Sequence, residues 1–240
     1  MFIEQAYKGL HEGWRYVIGF LAVFFVGWQI IGVIPIIGSA YSRSSSLGEF
    51  MTSSEEMFLN LYEGESNLYL ILMLFTFIGG LIVLIPVVKY LHKQKFVTML
   101  TARPKLDWKR IFFAFGIWAA FSIITTIIAY YAAPEDLQWN FNLMPFLGLL
   151  AITVLMLPLQ TSFEEFLFRG YLFKKTIEIS SVIKANIIFS ILFMLVHVFD
   201  SGIINSIPMI IFTVITIPIG HLLFATALLK SKTLYFPIGI

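Results

Sequence analysis

Long apolar runs separated by short charged segments leave this chain few ways to fold. The candidate runs lie at about 14–37, 68–88, 111–133, 143–160, 163–178, 182–199 and 203–229. A helix that crosses a bilayer needs roughly 20 predominantly apolar residues, and most of these runs reach or approach that length. Only 12% of the 240 residues are charged, whereas 59% are hydrophobic and 17% aromatic. A soluble domain is about one quarter charged, so this composition cannot make a water-facing surface around so much apolar material. Within hydrocarbon the backbone must satisfy its own hydrogen bonds, which helices do and open sheets do not. The expected fold is therefore all-α: a polytopic transmembrane helical bundle of about six or seven helices or half-helices, with the lipid bilayer as part of its solvent. Half-helices are included because neighbouring runs in the second half can be parts of one broken helix.

The placement of charge sets the expected topology. Segment 89–110 holds Lys89, Lys93, Lys95, Arg103, Lys105, Lys109 and Arg110 against the single acid Asp107, which marks it as an inside loop. Segment 39–67 holds five glutamates against Arg43 and is expected outside, with a short interfacial helix around 53–62. Glu135 and Asp136 mark a second outer loop, while Lys174, Lys175, Lys184, Lys230 and Lys232 return to the inside. The alternation places the N-terminus in the cytoplasm and the chain in the cell (inner) membrane as a multi-pass protein. The first apolar run lacks a small-residue cleavage site and reads as a retained helix. A net charge of +2 gives no reason to expect a nucleic-acid partner, and the absence of cysteine excludes disulfides, thiolate zinc sites and cysteine nucleophiles. The basic loop is most simply a surface beside anionic headgroups.

One place inside apolar sequence concentrates ionisable groups: Glu164, Glu165 and Arg169. Each costs about 2.5–3.5 kcal/mol near mid-bilayer unless it is paired or hydrated. Pro158 to Ser162 interrupts the apolar pattern, and Ser162 followed by Glu165 has the form of a capping box, so a helix is expected to start at Phe163. On that helix Glu165 and Arg169 are spaced i,i+4 and should pair. No cation stands three or four positions from Glu164, so this pattern supplies no structural reason for that residue. If the next turn lies near Ser180, Glu164 is 16 residues before it and His197 is 17 after it. At 1.5 Å of rise per residue both lie about 25 Å from the turn. Phe193, one helical turn before His197, would wall the site.

A glutamate and an imidazole at one depth permit two hydrolytic routes. The carboxylate can act as general base on a water that the imidazole orients. Alternatively, a divalent metal such as zinc, ligated by His197 and Glu164, activates the water, although zinc takes at least three protein ligands and only two are visible. His221, in Gly-His-Leu-Leu-Phe-Ala, has no depth partner and is expected to be an ordinary core histidine; His11 and His92 are given no role. A buried Glu165–Arg169 pair is also compatible with a non-proteolytic scaffold, and a membrane Glu–His couple with a proton-coupled transporter. Inverted repeats would favour the transporter, and none is visible. Other protease chemistries fit poorly: Asp107, Asp136 and Asp200 fall in loops or at helix ends, and no His-Glu-x-x-His is present.

The run Phe163-Glu164-Glu165-Phe-Leu-Phe-Arg169-Gly170-Tyr171-Leu172 resembles the first motif of the CPBP intramembrane proteases, two glutamates, three residues and an arginine. That family includes the type II CAAX prenyl endopeptidases and the bacteriocin-processing and immunity proteins. Phe193-Met-Leu-Val-His197 resembles the second motif. The resemblance covers about 103–240, leaving 1–102 as N-terminal transmembrane helices with the outer loop 39–67, in one membrane domain. It implies an intramembrane endopeptidase acting on a peptide or protein substrate in the membrane. Glu164 and His197 would be catalytic, and Glu165 and Arg169 supporting. Self-immunity without proteolysis is the alternative within the same resemblance. The family's third motif, a histidine followed four residues later by asparagine or aspartate, is not found in 1–240, so the sequence is expected either to stop just before it, at Ile240, or to come from a diverged member that lacks it. Residues 1–240 alone are accordingly expected to have low or absent peptidase activity.

Overall fold

Among the described residues, five helices are long and apolar enough to cross a membrane: α1 (Gly13–Arg43), α3 (Ser66–Leu91), α4 (Trp108–Ala132), α5 (Leu143–Ile179) and α7 (Ile207–Ser231). The computed structural model describes residues 4, 8–103, 106–198 and 201–239, and among them the fold is all-α, with one isolated backbone bridge, Thr101 to Thr233. A sixth apolar helix, α6 (Val182–Val198), is shorter, and two small helices, α2 (Leu47–Ser54) and α8 (Tyr235–Gly239), complete the main elements. The exterior is apolar along whole helices. On α4, Phe112, Phe113 and Ile123 are each at least 60% exposed. Water would penalise such a surface at about 25 cal/mol per Å², whereas lipid tails cover it without cost.

The runs at 143–160 and 163–178 do not form separate helices. Pro158 lies inside α5, and a π-helical stretch, Glu165–Leu172, continues into ordinary helix to Ile179. The expected helix start at Phe163, capped by Ser162, is therefore replaced by continuous helix. The physical reason is the solvent: a chain break in hydrocarbon leaves several backbone groups unpaired, whereas one proline removes a single donor. The interfacial helix also lies earlier than 53–62, at Leu47–Ser54. There the Ser46 hydroxyl accepts from the Glu49 N–H at 3.1 Å and caps it, and a single 3₁₀ turn follows at Leu59–Tyr62.

The chain forms two compact units. The unit made of 18–87 and 119–163 is organised by glycine. The second part of α1 and the first part of α3 approach at Gly27, Gly32, Gly79 and Gly80, where a methyl group on Gly27 would lie 3.0 Å from the Gly79 carbonyl oxygen. Helices in lipid gain little from hydrophobic driving force and associate through such close backbone packing. Phe163 lies against Gly80, with the Trp28 ring centroid 5.4 Å from its own. Ile36, Ala40, Phe58 and Tyr62 make a small buried cluster.

The second unit, made of 1–17, 88–118 and 164–240, carries the ionisable segment. The Leu234 N–H donates to the Leu100 carbonyl at 2.8 Å and the Ala102 N–H to the Lys232 carbonyl at 3.3 Å. This short bridge ties the basic loop to the chain after α7. Lys232, in the left-handed region at φ 59°, turns the chain out of that helix.

Candidate active site

Every residue from Glu165 to Tyr171 is buried, so this part of α5 has no lipid face. Its all-round apolar pattern is matched by neighbours on several sides. The Phe96 ring lies 5.1 Å from that of Phe166, Met99 and Leu234 close on Gly170, and the Phe193 ring lies 5.4 Å from that of Phe168. Within this packing Arg169 and Glu165 form an ion pair through Nη1 and Oε1, at the expected i,i+4 spacing. Arg169 is 1% exposed and Glu165 5%. The guanidinium also lies over two aromatic faces, 5.7 Å from the Phe193 centroid and 5.2 Å from that of Phe224.

Glu164 is half-buried at the junction where α-helical winding gives way to π-helical winding. Its charge acts on Arg169, five residues ahead. In a π-helix the backbone bonds run i→i+5, so residues five apart come onto one face. Arg169 therefore relates to both glutamates, a relationship that ordinary helical spacing does not offer Glu164.

Ring contacts fix the register of the hairpin between α5 and α6. Phe173 meets Phe189 at 6.0 Å between centroids, and Phe168 meets Phe193 at 5.4 Å. Both pairs are centred near Ser180–Ser181. By count along the chain, Glu164 and His197 stand about equally far from that turn. The His197 ring packs 4.7 Å from Phe193 and its Nδ1 lies 2.8 Å from the Phe193 carbonyl oxygen. A carbonyl only accepts, so Nδ1 carries the proton and the neutral ring presents Nε2 as a lone pair.

Two further histidines are organised here. His221, 2% exposed on α7, has its ring centroid 5.8 Å from that of Phe193 and shares a 3.1 Å hydrogen bond between Nδ1 and Ser190 Oγ. Sequence pattern alone did not single it out. His92, 1% exposed, donates from Nδ1 to the Leu10 carbonyl at 2.6 Å and bonds the Tyr171 hydroxyl through Nε2 at 2.7 Å. Burial pushes its imidazole below the ordinary range. The Leu10 hydrogen bond opposes that shift, Arg15 adds to it, and Glu12 opposes it.

Metal fit can be tested on donors. Among the described residues no three His, Cys, Asp or Glu side chains converge as a metal would require. His197 and Glu164 supply two donors and zinc takes at least three from protein. The described donor set does not fit a zinc site.

By its helices this chain is a multi-pass integral membrane protein of the all-α class. Residues 143–240, which include the paired glutamates, Arg169, Phe193 and His197, match the family model described as type II CAAX prenyl endopeptidase Rce1-like. The uncharacterized protein YyaK of Bacillus subtilis (strain 168) is 29% identical over 168 residues, which are 69% of this chain and 54% of YyaK. The chain thus spans about half the length of that curated relative. No solved structure matches it.

Proposed function

We propose that this protein is an intramembrane endopeptidase of the CAAX protease and bacteriocin-processing type, hydrolysing a peptide bond of a membrane-embedded or membrane-associated substrate. The reading is supported by the register of the α5–α6 hairpin, in which Glu164 and His197 fall about equally far from the turn by count, and by the bond that leaves the proton of His197 on Nδ1. A water between them donates one hydrogen to the Glu164 carboxylate and the other to His197 Nε2. Glu164 takes its proton as the water oxygen attacks the carbonyl carbon of the scissile bond. The tetrahedral intermediate collapses as the C–N bond breaks. Glu164 returns the proton to the leaving amine, and the remaining water hydrogen leaves with the new carboxyl group. Glu165 neutralises Arg169, and Arg169 in turn lies under the field of Glu164. Phe193 separates this polar centre from lipid. The N-terminus faces the cytoplasm in this reading, with the basic segment 89–110 at the inner surface. No step is routed through a metal.

The test uses protein expressed from its complete reading frame and reconstituted in liposomes, with quenched peptides that are either prenylated at a C-terminal Cys-aliphatic-aliphatic motif or unmodified. Cleavage that is lost in Glu164→Gln at unchanged thermal stability supports the assignment. Full activity in Glu164→Gln refutes it. Absence of cleavage from the wild type for both peptide classes, alongside capture of a partner by wild type and Glu164→Gln alike, would replace it with the scaffold or self-immunity reading.

A further inference from the structure

We propose that His221 is a positioning residue of this site, holding Arg169 and Glu165 in place across one bound water molecule; its role in hydrolysis rests on the endopeptidase reading above. The argument starts from the tautomer. Ser190 Oγ lies 2.7 Å from the Asn186 carbonyl oxygen, one turn back on α6, and gives that oxygen its only hydrogen. Towards His221 the Ser190 oxygen can then only accept, so Nδ1 of His221 is the donor across the 3.1 Å contact. Neutral His221 therefore presents Nε2 as a bare lone pair, in the same tautomer as His197. Each imidazole is fixed by an oxygen on α6, and both rings pack on Phe193.

Among the described residues, the buried side-chain atoms with no hydrogen-bond partner are Nε2 of His221, Nε of Arg169, Oε2 of Glu165 and Oδ1 of Asn186. The first three belong to one neighbourhood. Arg169 pairs with Glu165, both Arg169 and His221 approach the Phe193 ring at 5.7 and 5.8 Å, and the guanidinium is near enough for its charge to act on the imidazole. Such orphaned groups are rare in folded proteins, because each forfeits its hydration without replacement. Their polarities match a single water. Arg169 Nε–H donates to its oxygen, and its two hydrogens go to Glu165 Oε2 and His221 Nε2. Three hydrogen bonds is the usual complement of a buried water. The water closes a loop from α5 to α7, so His221 braces the ion pair that lies beside Glu164.

The experiment combines a double-mutant cycle with kinetics. His221→Phe keeps the ring and its contact with Phe193 but removes the acceptor. His221→Gln keeps an acceptor at the end of the side chain. Thermal stability is measured for His221→Phe, Arg169→Met and the pair, and turnover for both His221 variants. The expected result is a clear coupling in the cycle, a fall in kcat of about 10- to 100-fold in His221→Phe with KM little changed, and partial recovery in His221→Gln; that range corresponds to losing one hydrogen bond to a charged group. Additive stabilities overturn the proposal. So does coupling without any difference in turnover between wild type and His221→Phe. If Glu164→Gln keeps activity, the endopeptidase reading fails by itself, and the stability cycle still decides whether His221 braces Arg169.

Discussion

Replacing Glu165 by methionine should destabilise the protein more than a typical core substitution does, because of what it leaves behind. Arg169 is 1% exposed, and its guanidinium meets Glu165, two aromatic faces and the field of Glu164. Arginine cannot shed its proton in a protein, so after the substitution a charge persists in a low-dielectric pocket with much of its compensation gone. Breaking a buried pair from one side costs about 3–5 kcal/mol. For a chain of this length each kcal/mol moves the melting temperature by about 2–4 °C, so a fall on the order of 10 °C is expected. Arg169→Met strands a carboxylate instead, and a carboxylate can escape by taking up a proton. Its cost then falls to the lost packing and to cation–π contacts worth about 0.5–2 kcal/mol. Glu165→Met/Arg169→Met removes both charges and should cost clearly less than the sum of the singles. The assay is thermal unfolding in a mild detergent, followed by fluorescence of the five tryptophans. Additivity within about 0.5 kcal/mol would show that the pair is not the energetic unit described here.

Gly79→Leu should prevent folding of the glycine-packed unit, since its first side-chain carbon would come within 2.5 Å of the Gly27 carbonyl oxygen and the Gly32 Cα, both backbone atoms. Gly38→Ala meets nothing within 4 Å and should be neutral or slightly stabilising, by up to about 1 kcal/mol; yield of monodisperse protein separates the two. His92 has a folded-state pKa below its unfolded value of 6.5, so the unfolded chain binds the proton first as pH falls. Stability should therefore decline as pH drops below the unfolded value, and His92→Gln should flatten that part of the stability–pH curve. A chelator such as EDTA or phenanthroline should leave peptide cleavage within twofold of its untreated rate, a limit of about 0.4 kcal/mol in barrier height, because the described residues do not assemble three donors for a metal.

What was legible in the sequence was whatever repeats at helical or bilayer scale. Runs of apolar residues gave the all-α class, and i,i+4 spacing gave the Glu165–Arg169 pair. Counting from Ser180 gave a hairpin register that the Phe168–Phe193 and Phe173–Phe189 contacts reproduce. The misread features depend on competition between local and solvent terms. Ser162 and Glu165 form a sound cap in water, but hydrocarbon penalises the broken backbone that a cap requires, so α5 continues through them. His92 and His221 could not be ranked, because their partners, Leu10, Tyr171 and Ser190, lie far away in sequence and reveal themselves only after packing.

The π-helical winding links the fold to the site. In an α-helix, Arg169 can serve Glu165 but turns away from a residue five positions back. Widened i→i+5 turns bring that position towards the guanidinium, which is why Glu164 acts on Arg169. The same widening is stable only where surrounding side chains fill the broader helix, and Glu165–Tyr171 is buried along its whole length. Two adjacent glutamates are thereby given different environments by one arginine. Glu165 is closed in a buried ion pair, while Glu164 feels the same positive charge from a half-buried position. In the endopeptidase reading proposed above, a shared cation with unequal burial is what separates the supporting carboxylate from the one that takes a proton and returns it.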